Sequence, residues 1–312
     1  MLDAPDVTVS VVSSGDLAIL RACLDSIPAA AGATEVQTIV VDNAVGITAE
    51  VAASHPGIEV IAGGLRRGFG ANHNLACARA RGRYVFILND DTVLDPECID
   101  RLRRFMDQNP AVGAAGPRLR HPDGRDQPSA FHFPTPARVA LTTVTLQRAG
   151  WIMSAGERIR RVDWIHGAAM IVRREAVAAA GGLDEGFYMY LEDVDLCRRL
   201  RERGWEVAFF PRAGLVHLEN SSTAAVPMRR VYQHARSRSI YARKHHGRAG
   251  ERAVQALTAA TYLARAGLAR ALPGYDAADA AFFRAHARAS LHPYAEPAVE
   301  EAAAEHNKGA AA

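Results

Sequence analysis

Hydrophobic positions in the first half of the chain switch repeatedly between two periods. Val7 to Val12 is a short β-rich run, and Asp16 to Ile27 then places Leu17, Leu20, Leu24 and Ile27 at helical spacing. Val36 to Val41 is an almost unbroken β-branched run, the pattern of a strand buried on both faces. Ile58 to Ile61 reads as a third strand, Ala71 to Arg81 as an Ala-rich helix and Tyr84 to Leu88 as a fourth strand. Pro96 to Gln108 reads as a helix opened by proline, with Ile99, Leu102 and Phe105 or Met106 turned inward. Strand and helix in turn predict an α/β fold with a mostly parallel central sheet flanked by helices.

The rhythm breaks between Pro117 and Trp151, where charged and Pro-rich turns precede a short apolar stretch, Val139 to Leu146. This segment reads as an excursion from the sheet that could shape a cleft. Pattern resumes at Trp164 with a strand through Gly167 to Val172, a helix from Arg174 to Ala180, a Gly181-Gly182 break, a helix from Glu192 to Arg203 and a strand from Val207 to Phe210. From Met228 the character changes: Arg229, Arg230, Arg236, Arg238, Arg243, Lys244 and Arg248 occur with no acid among them. Helical patterns follow at Glu251 to Leu272 and Ala277 to Leu291, and the Ala-rich tail from Pro297 is expected to fray. The expected domains are 1–227, with a nucleotide-binding half to about 116 and an acceptor half from 117, and a basic, Ala-rich helical extension, 228–312.

Composition adds constraints. The 312 residues are 49% hydrophobic and 23% charged with a net charge of +3, which suits a globular protein and gives no case for nucleic acid as a partner. Cys23, Cys77, Cys98 and Cys197 are far apart with no C-x-x-C pair, so buried free thiols are expected and no zinc site is visible. The acidic start Leu2-Asp3-Ala4-Pro5-Asp6 does not resemble a secretory leader, and no apolar run reaches the ~20 residues of a membrane span. The expected location is therefore the cytoplasm, with contact at the inner face of the cell membrane left open.

Candidate chemistry lies at the carboxyl ends of the predicted strands, where open parallel sheets bind ligands. The first strand runs into Ser13-Ser14-Gly15, the second into Asp42-Asn43 and the fourth into Asn89-Asp90-Asp91. Adjacent carboxylates repel unless a cation neutralises them, and hard oxygen ligands suit magnesium or manganese. The same acids also suit an ordinary turn before the helix at Pro96. Arg66 to Asn74 combines cations, glycines and amides ahead of a helix, which fits an anion loop or a plain helix entry; it is neither a Walker loop nor G-x-G-x-x-G. Tyr188 to Asp195 brings three carboxylates to a helix start, as dipole complements or as a general base beside a cleft. His217, closing a strand, is either a structural imidazole or a partner to a carboxylate metal site.

Taken in order, these residues resemble the family 2 glycosyltransferases, especially bacterial rhamnosyltransferase-like members that build surface polysaccharides. The resemblance runs from about Val7 to His246. It rests on Val40-Val41-Asp42-Asn43, Arg67-Gly68-Phe69 with Asn72 and Asn74, and Leu88-Asn89-Asp90-Asp91-Thr92. It continues through Trp164-Ile165-His166-Gly167-Ala168, Arg173-Arg174-Glu175, Gly181-Gly182-Leu183-Asp184-Glu185 and Phe187 to Leu196. The resemblance implies a GT-A fold, a Rossmann-like nucleotide half joined to an acceptor half, and an inverting transfer. It implies that Asp193, paired with Glu192, is the catalytic base, and that Asp91 and His217 bind Mn2+ or Mg2+ on the diphosphate, with Asp90 assisting. Asp42 would hold the nucleoside, and Ser13, Ser14, Arg67, Gly68, Asn72, Asn74 and Asn89 would line the nucleotide-sugar site. Arg236 and Arg238 would contact the diphosphate or anionic lipid, or simply face solvent. The chain departs from the family where its first strand ends Ser13-Ser14-Gly15 rather than Thr-Tyr-Asn, and where its metal motif opens with Asn89 rather than Asp.

By resemblance the donor is a thymidine-diphosphate sugar, rhamnose first, with uridine-diphosphate sugars next, and the acceptor is a glycan, a lipid-linked glycan or a small molecule. Two rival readings stay open. A sugar nucleotidyltransferase shares a related nucleotide domain, but Val7 to Asp16 lacks the Gly-rich basic loop such enzymes show. A non-catalytic nucleotide-sugar or glycan binder would suit the altered Ser13-Ser14-Gly15 end, while Asp91 and Asp193 count against it.

Overall fold

The structure is a computed structural model that describes residues 4–13, 15–145, 151–219, 227–271 and 277–310. Ser14, Leu146 and Leu272 lie outside the described residues. The chain divides into two compact units. The first takes residues to Phe131, Ile152–Glu185 and Glu192–Ser221; the second takes His132–Trp151, Gly186–Leu191 and Ser222–Ala312.

In the first unit β1 (Val7–Ser13), α1 (Leu17–Ala31), β2 (Val36–Asp42), α2 (Thr48–Ser54), β3 (Glu59–Ala62), α3 (Phe69–Arg79) and β4 (Tyr84–Asn89) alternate along the chain. α1 begins where Asp16 Oδ1 accepts the N–H groups of Ala18 and Ile19 at 3.0 and 3.1 Å, and it buries Leu20, Cys23, Leu24 and Ile27. β1 runs parallel to β2 and β4, and β2 parallel to β3. The register sets Ser13 opposite Asp42 and Val12 opposite Asn89, so three polar strand ends finish side by side.

Beyond β4 follow β5 (Thr92–Leu94), α4 (Cys98–Gln108), β6 (Val112–Arg120), β7 (Asp126–Gln127) and β8 (Ala130–Phe131). After α5 (Pro136–Val144), which belongs to the second unit, come β9 (Arg160–Arg161), β10 (Trp164–Ile165), β11 (Ala169–Arg173), α6 (Arg174–Ala180), α7 (Glu192–Glu202) and β12 (Glu206–His217). The ten-stranded sheet has the order β3-β2-β1-β4-β11-β6-β12-β5, with β7 beside β6 and β9 beside β12. The expected parallel arrangement describes its first four strands. The remainder is mixed, because β11 is antiparallel to both β4 and β6, and β5 is antiparallel to β12.

Two strands departed from the expected pattern for identifiable reasons. β6, rich in Gly, Ala and Pro, has little β-propensity, yet a Cβ on Gly113 would stand 2.7 Å from the Cβ of Trp205 and one on Gly116 3.1 Å from Ile165. Small residues let those side chains lie on the strand. β12 continues past Phe210 to His217, and a register shift between Phe210 and Gly214 takes up Pro211. The run from Trp164 is likewise two strands, separated by His166-Gly167-Ala168. All four cysteines are free, and burial pushes each thiol up to about 12.

The second unit is helical. α8 (Pro227–Ala271) is broken at Gly247, whose φ of 67° is left-handed, and is followed by α9 (Ala277–Leu291) and α10 (Val299–Ala310). Thr143 on α5 donates to the Leu257 carbonyl at 3.1 Å and accepts from Thr261 at 2.8 Å, while Val139, Ala242 and Val254 pack together. No helix among the described residues is long and apolar enough to cross a membrane.

The tail from Pro297 is not frayed but forms α10, and the same contacts correct the expectation for Arg236. That side chain is 3% exposed. Its guanidinium donates to the carbonyls of Pro293 and Glu296 and to the carboxylates of Glu300 and Glu301. It therefore ties α8 to α10, and those bonds leave it little capacity to meet a diphosphate or lipid. Arg238, the other residue expected there, is half-buried. Replacing Arg236 by Met should lower stability by roughly 1.5–3 kcal/mol, the usual effect of losing hydrogen bonds to charged groups. Thermal unfolding checks this; an unchanged midpoint would mean that Arg236 is a surface cation after all.

Candidate active site

The loops after β2 and β3 are knotted together by side chains. Asp42 accepts the N–H groups of Val45, Gly46 and Ile47 and the hydroxyl of Thr48, at 2.8–3.2 Å. A carboxylate offers about four acceptor positions, so Asp42 is filled from within its own loop, and a nucleoside contact would have to displace one of these bonds. Asn43 exchanges two hydrogen bonds with the backbone of Arg67, and Asn72 donates to the same Arg67 carbonyl at 3.1 Å. The Arg67 side chain stays exposed beside buried Gly68, which precedes α3.

Asn74 belongs to the scaffold rather than to the expected nucleotide site. Its amide donates to the Leu183 carbonyl and to Glu185, and its oxygen accepts from Leu183 N–H, all at 2.9 Å. With each end of the amide engaged, it pins the Gly182-Leu183 turn to α3. Buried Asn72 is likewise held by its bond to the Arg67 loop. Ser13 is buried and its hydroxyl accepts from Gly15 N–H at 3.2 Å.

At the end of β4, Asp90 and Asp91 are buried. Antiparallel pairing of β12 with β5 sets His217 opposite Thr92 and brings its ring to Asp91. His217 Nε2 lies 3.2 Å from Asp91 Oδ1, an oxygen that is buried and receives no hydrogen bond, and 3.4 Å from Asn89 Nδ2. The other ring nitrogen, Nδ1, is 3.0 Å from Gln127 Oε1. An orphaned carboxylate oxygen facing an imidazole nitrogen fits the two-ligand side of a magnesium or manganese site completed by substrate phosphates. Among the described residues no group of three or more His, Cys, Asp or Glu side chains is set to hold a metal.

The second carboxylate centre forms at the start of α7. Asp193 is buried; its Oδ2 accepts from Gly167 N–H and its Oδ1 from Val194 N–H, both at 2.8 Å. Burial raises its pKa, opposed by His166 and these N–H groups. Neighbouring Glu192 is held well above the usual carboxylate range by burial and by the Asp193 charge, with one oxygen unpartnered. Tyr190 and Leu191, which precede the pair, both have left-handed backbones, with φ of 72° and 67°.

One short turn joins the two centres. Asn89 N–H donates to the Ala168 carbonyl at 2.9 Å, and the next residue back, Gly167, donates to Asp193. A Cβ on Gly167 would lie 3.3 Å from Asp193 Oδ2 and 3.4 Å from Phe69, so only glycine lets the backbone approach without displacement. His166 heads this turn with its ring 6.0 Å from that of His217, and it feels the charges of Asp193, His217, Glu219 and Asp91. Burial lowers its pKa, and its Nδ1 accepts from Ala168 N–H at 3.0 Å, which leaves the proton of the neutral ring on Nε2. Asp193 thus bonds to the residue beside His166, and His217, which faces Asp91, has its ring 6.0 Å from that of His166. The sequence pattern had shown His166 and Gly167 inside a motif without indicating a role, and Gln127 carried no signal at all.

The sheet order and the polar ends of β1, β2 and β4 define an open-sheet α/β protein, a class that binds ligands at such strand ends. A family model described as glycosyltransferase-like family 2 matches residues 5–239, and the chain belongs to that family. It is 34% identical over 171 residues to the N-acetylglucosaminyl-diphospho-decaprenol L-rhamnosyltransferase of Mycobacterium tuberculosis, covering 52% of this chain and 56% of that protein. The chain therefore spans little more than half the length of that relative. The mannosyltransferase PcManGT from Pyrobaculum calidifontis, solved with GDP-Man and Mn2+, shares its fold at a TM-score of 0.56 and 18% identity, over 99% of this chain and 81% of that one. GalNAc-T7, solved with UDP, GalNAc and Mn2+, does so at 0.54 and 13%, over 92% of this chain and 55% of that one. These likenesses bear out the expected GT-A fold. Gly167→Ala should lower turnover by about 10- to 100-fold through displacement of Asp193, with little change in thermal midpoint. Full turnover in steady-state assays would show that the Gly167 contact is dispensable.

Proposed function

We propose that the chain catalyses inverting transfer of a sugar from a nucleoside-diphosphate donor to an acceptor hydroxyl. The observation that carries this reading is the closeness of the two carboxylate centres: Asp193 bonds to Gly167 beside His166, and Asp91 faces His217, whose ring is 6.0 Å from that of His166. Asp193, aimed by Gly167 and Val194, takes the proton of the acceptor hydroxyl. The acceptor oxygen attacks the anomeric carbon while the bond to the diphosphate breaks on the opposite face, and the nucleoside diphosphate leaves with the electron pair. Asp91 and His217 would hold Mn2+ or Mg2+; when bound, such an ion supplies positive charge to the departing diphosphate. The exposed Arg67 guanidinium is available to the same phosphates, and neutral His166 offers an N–H donor beside the base.

The donor is proposed as thymidine-diphosphate-rhamnose, with a lipid-linked glycan as acceptor. Support comes from the mycobacterial relative, whose name gives rhamnose as the transferred sugar and a decaprenol diphosphate as its carrier. A lipid-linked acceptor would place the reaction at a membrane surface, the contact that the expected cytoplasmic location left open.

Asp193→Asn should cut turnover by roughly 10²–10⁴ while donor affinity by calorimetry stays within a few fold. Near-normal turnover would remove the base assignment. Because burial raises the Asp193 pKa, the proton-accepting form grows in only as pH rises above the ordinary carboxylate value near ~3.9. The acidic limb of kcat/KM in the wild type should sit above that value; a limb at or below it would contradict the assignment. Asp91→Ala should weaken donor binding in the presence of Mn2+ and leave metal-free binding little changed, and an intact Mn2+ dependence would rule out a cation at this carboxylate.

A further inference from the structure

Gln127 on β7 and His217 on β12 stand on strands that flank β6, and they meet at its end. The Gln127 amide is 7% exposed and has two different neighbours. Its Nε2 is 2.7 Å from Glu219 Oε1, and its Oε1 is 3.0 Å from His217 Nδ1. An ionised carboxylate can only accept, so the end of the amide that faces Glu219 is the NH2 group. The end facing His217 is then the carbonyl, which also only accepts, and the proton of that contact belongs to His217 Nδ1. In a neutral ring this leaves Nε2 with its lone pair. That lone pair faces Asn89 Nδ2 at 3.4 Å and the orphaned Asp91 Oδ1 at 3.2 Å.

We infer that Gln127, itself oriented by Glu219, is a positioning residue that fixes the tautomer and ring orientation of His217, so that Nε2 is presented beside Asp91 as a cation ligand. The inference rests on the proposed reading of Asp91 and His217 as a cation pair. Its physical content is a chain of forced choices. Glu219 decides which way the amide points, the amide decides which imidazole nitrogen is protonated, and the bare nitrogen faces the carboxylate. A reversed amide would set NH2 against Nδ1, move the ring proton to Nε2 and aim that proton at Asp91, closing the position to a metal. Glu219 sits just past β12 with a left-handed backbone, φ 54°, and also lies 3.6 Å from His121 Nδ1.

The test uses the full chain and Mn2+, alone and with thymidine diphosphate, with binding read by the loss of the free-ion paramagnetic resonance signal. Gln127→Leu removes the acceptor while keeping an apolar side chain of similar bulk; Gln127→Met is the substitute should the leucine variant not fold. Gln127→Glu, made together with Glu219→Gln so that one carboxylate still faces one amide, keeps an oxygen acceptor toward Nδ1. Outer partners of metal-ligating histidines commonly govern 10- to 100-fold in affinity. The Leu or Met variant is expected to weaken Mn2+ binding by about that factor, and the Glu variant to stay within about three-fold of wild type. A purely space-filling role would leave all of these variants near wild type. In metal-free protein, 15N resonances assigned through His217→Asn should show His217 protonated on Nδ1 in the wild type and redistributed in the Leu or Met variant. Wild-type Mn2+ binding with no loss in that variant, or an Nε2-protonated ring in the wild type, overturns this inference alone. Absence of saturable Mn2+ binding in the wild type overturns the cation reading and this inference with it.

Discussion

A backbone N–H reaching a buried carboxylate, Gly167 to Asp193, sets the terms for the rest of the molecule. The donor sits in a three-residue turn whose next member, Ala168, is bonded to Asn89 at the end of β4. Two carboxylate centres more than a hundred positions apart in sequence are thereby referred to one rigid edge. Sheet pairing extends that reference: antiparallel β11 fixes the turn against β4, and the β12–β5 pair carries His217 to Asp91. Positions set by strands hold catalytic groups more tightly than positions set by loops alone.

Polar groups in this unit fall into two energetic kinds. Asp42, Asn43 and Asn74 are satisfied by partners within the fold, which makes them scaffold. Asp91 and Glu192 each keep a buried oxygen without a hydrogen bond, and burial raises the pKa values of both Glu192 and Asp193. Leaving charged groups unsatisfied costs stability, and such groups persist where a ligand completes them. Asp193 differs from both kinds: its two oxygens are aimed by backbone N–H groups while burial raises its pKa.

Much of the fold could be read from period alone. The β-branched run at Val36 to Val41 and the helical spacing of α1 became the elements they suggested, because burial on both faces or one face leaves a plain signature. β6 was invisible because Gly113 and Gly116 are selected by Trp205 and Ile165 across space. Beyond β4 the sheet is mixed, with β12 parallel to β6 but β11 reversed, because nothing local announces the direction of β11. Asn74 and Arg236 were misassigned for a related reason: an amide or guanidinium that binds the chain itself looks, in one dimension, like one that awaits a ligand. Asp91, Asp193 and His217 stood out as candidates from their places at strand and helix ends, and their proposed roles came from the family resemblance. Their convergence, and the part of Gly167 in it, depended on strand register.

Diffraction from crystals grown with thymidine diphosphate and Mn2+, recorded at the manganese absorption edge, tests that convergence most directly. The expected result is one anomalous peak in contact with Asp91 Oδ1, His217 Nε2 and the diphosphate, with Asp193 still bonded to Gly167 N–H and open toward the acceptor side. A diphosphate and ion bound away from both Asp91 and His217 would contradict it.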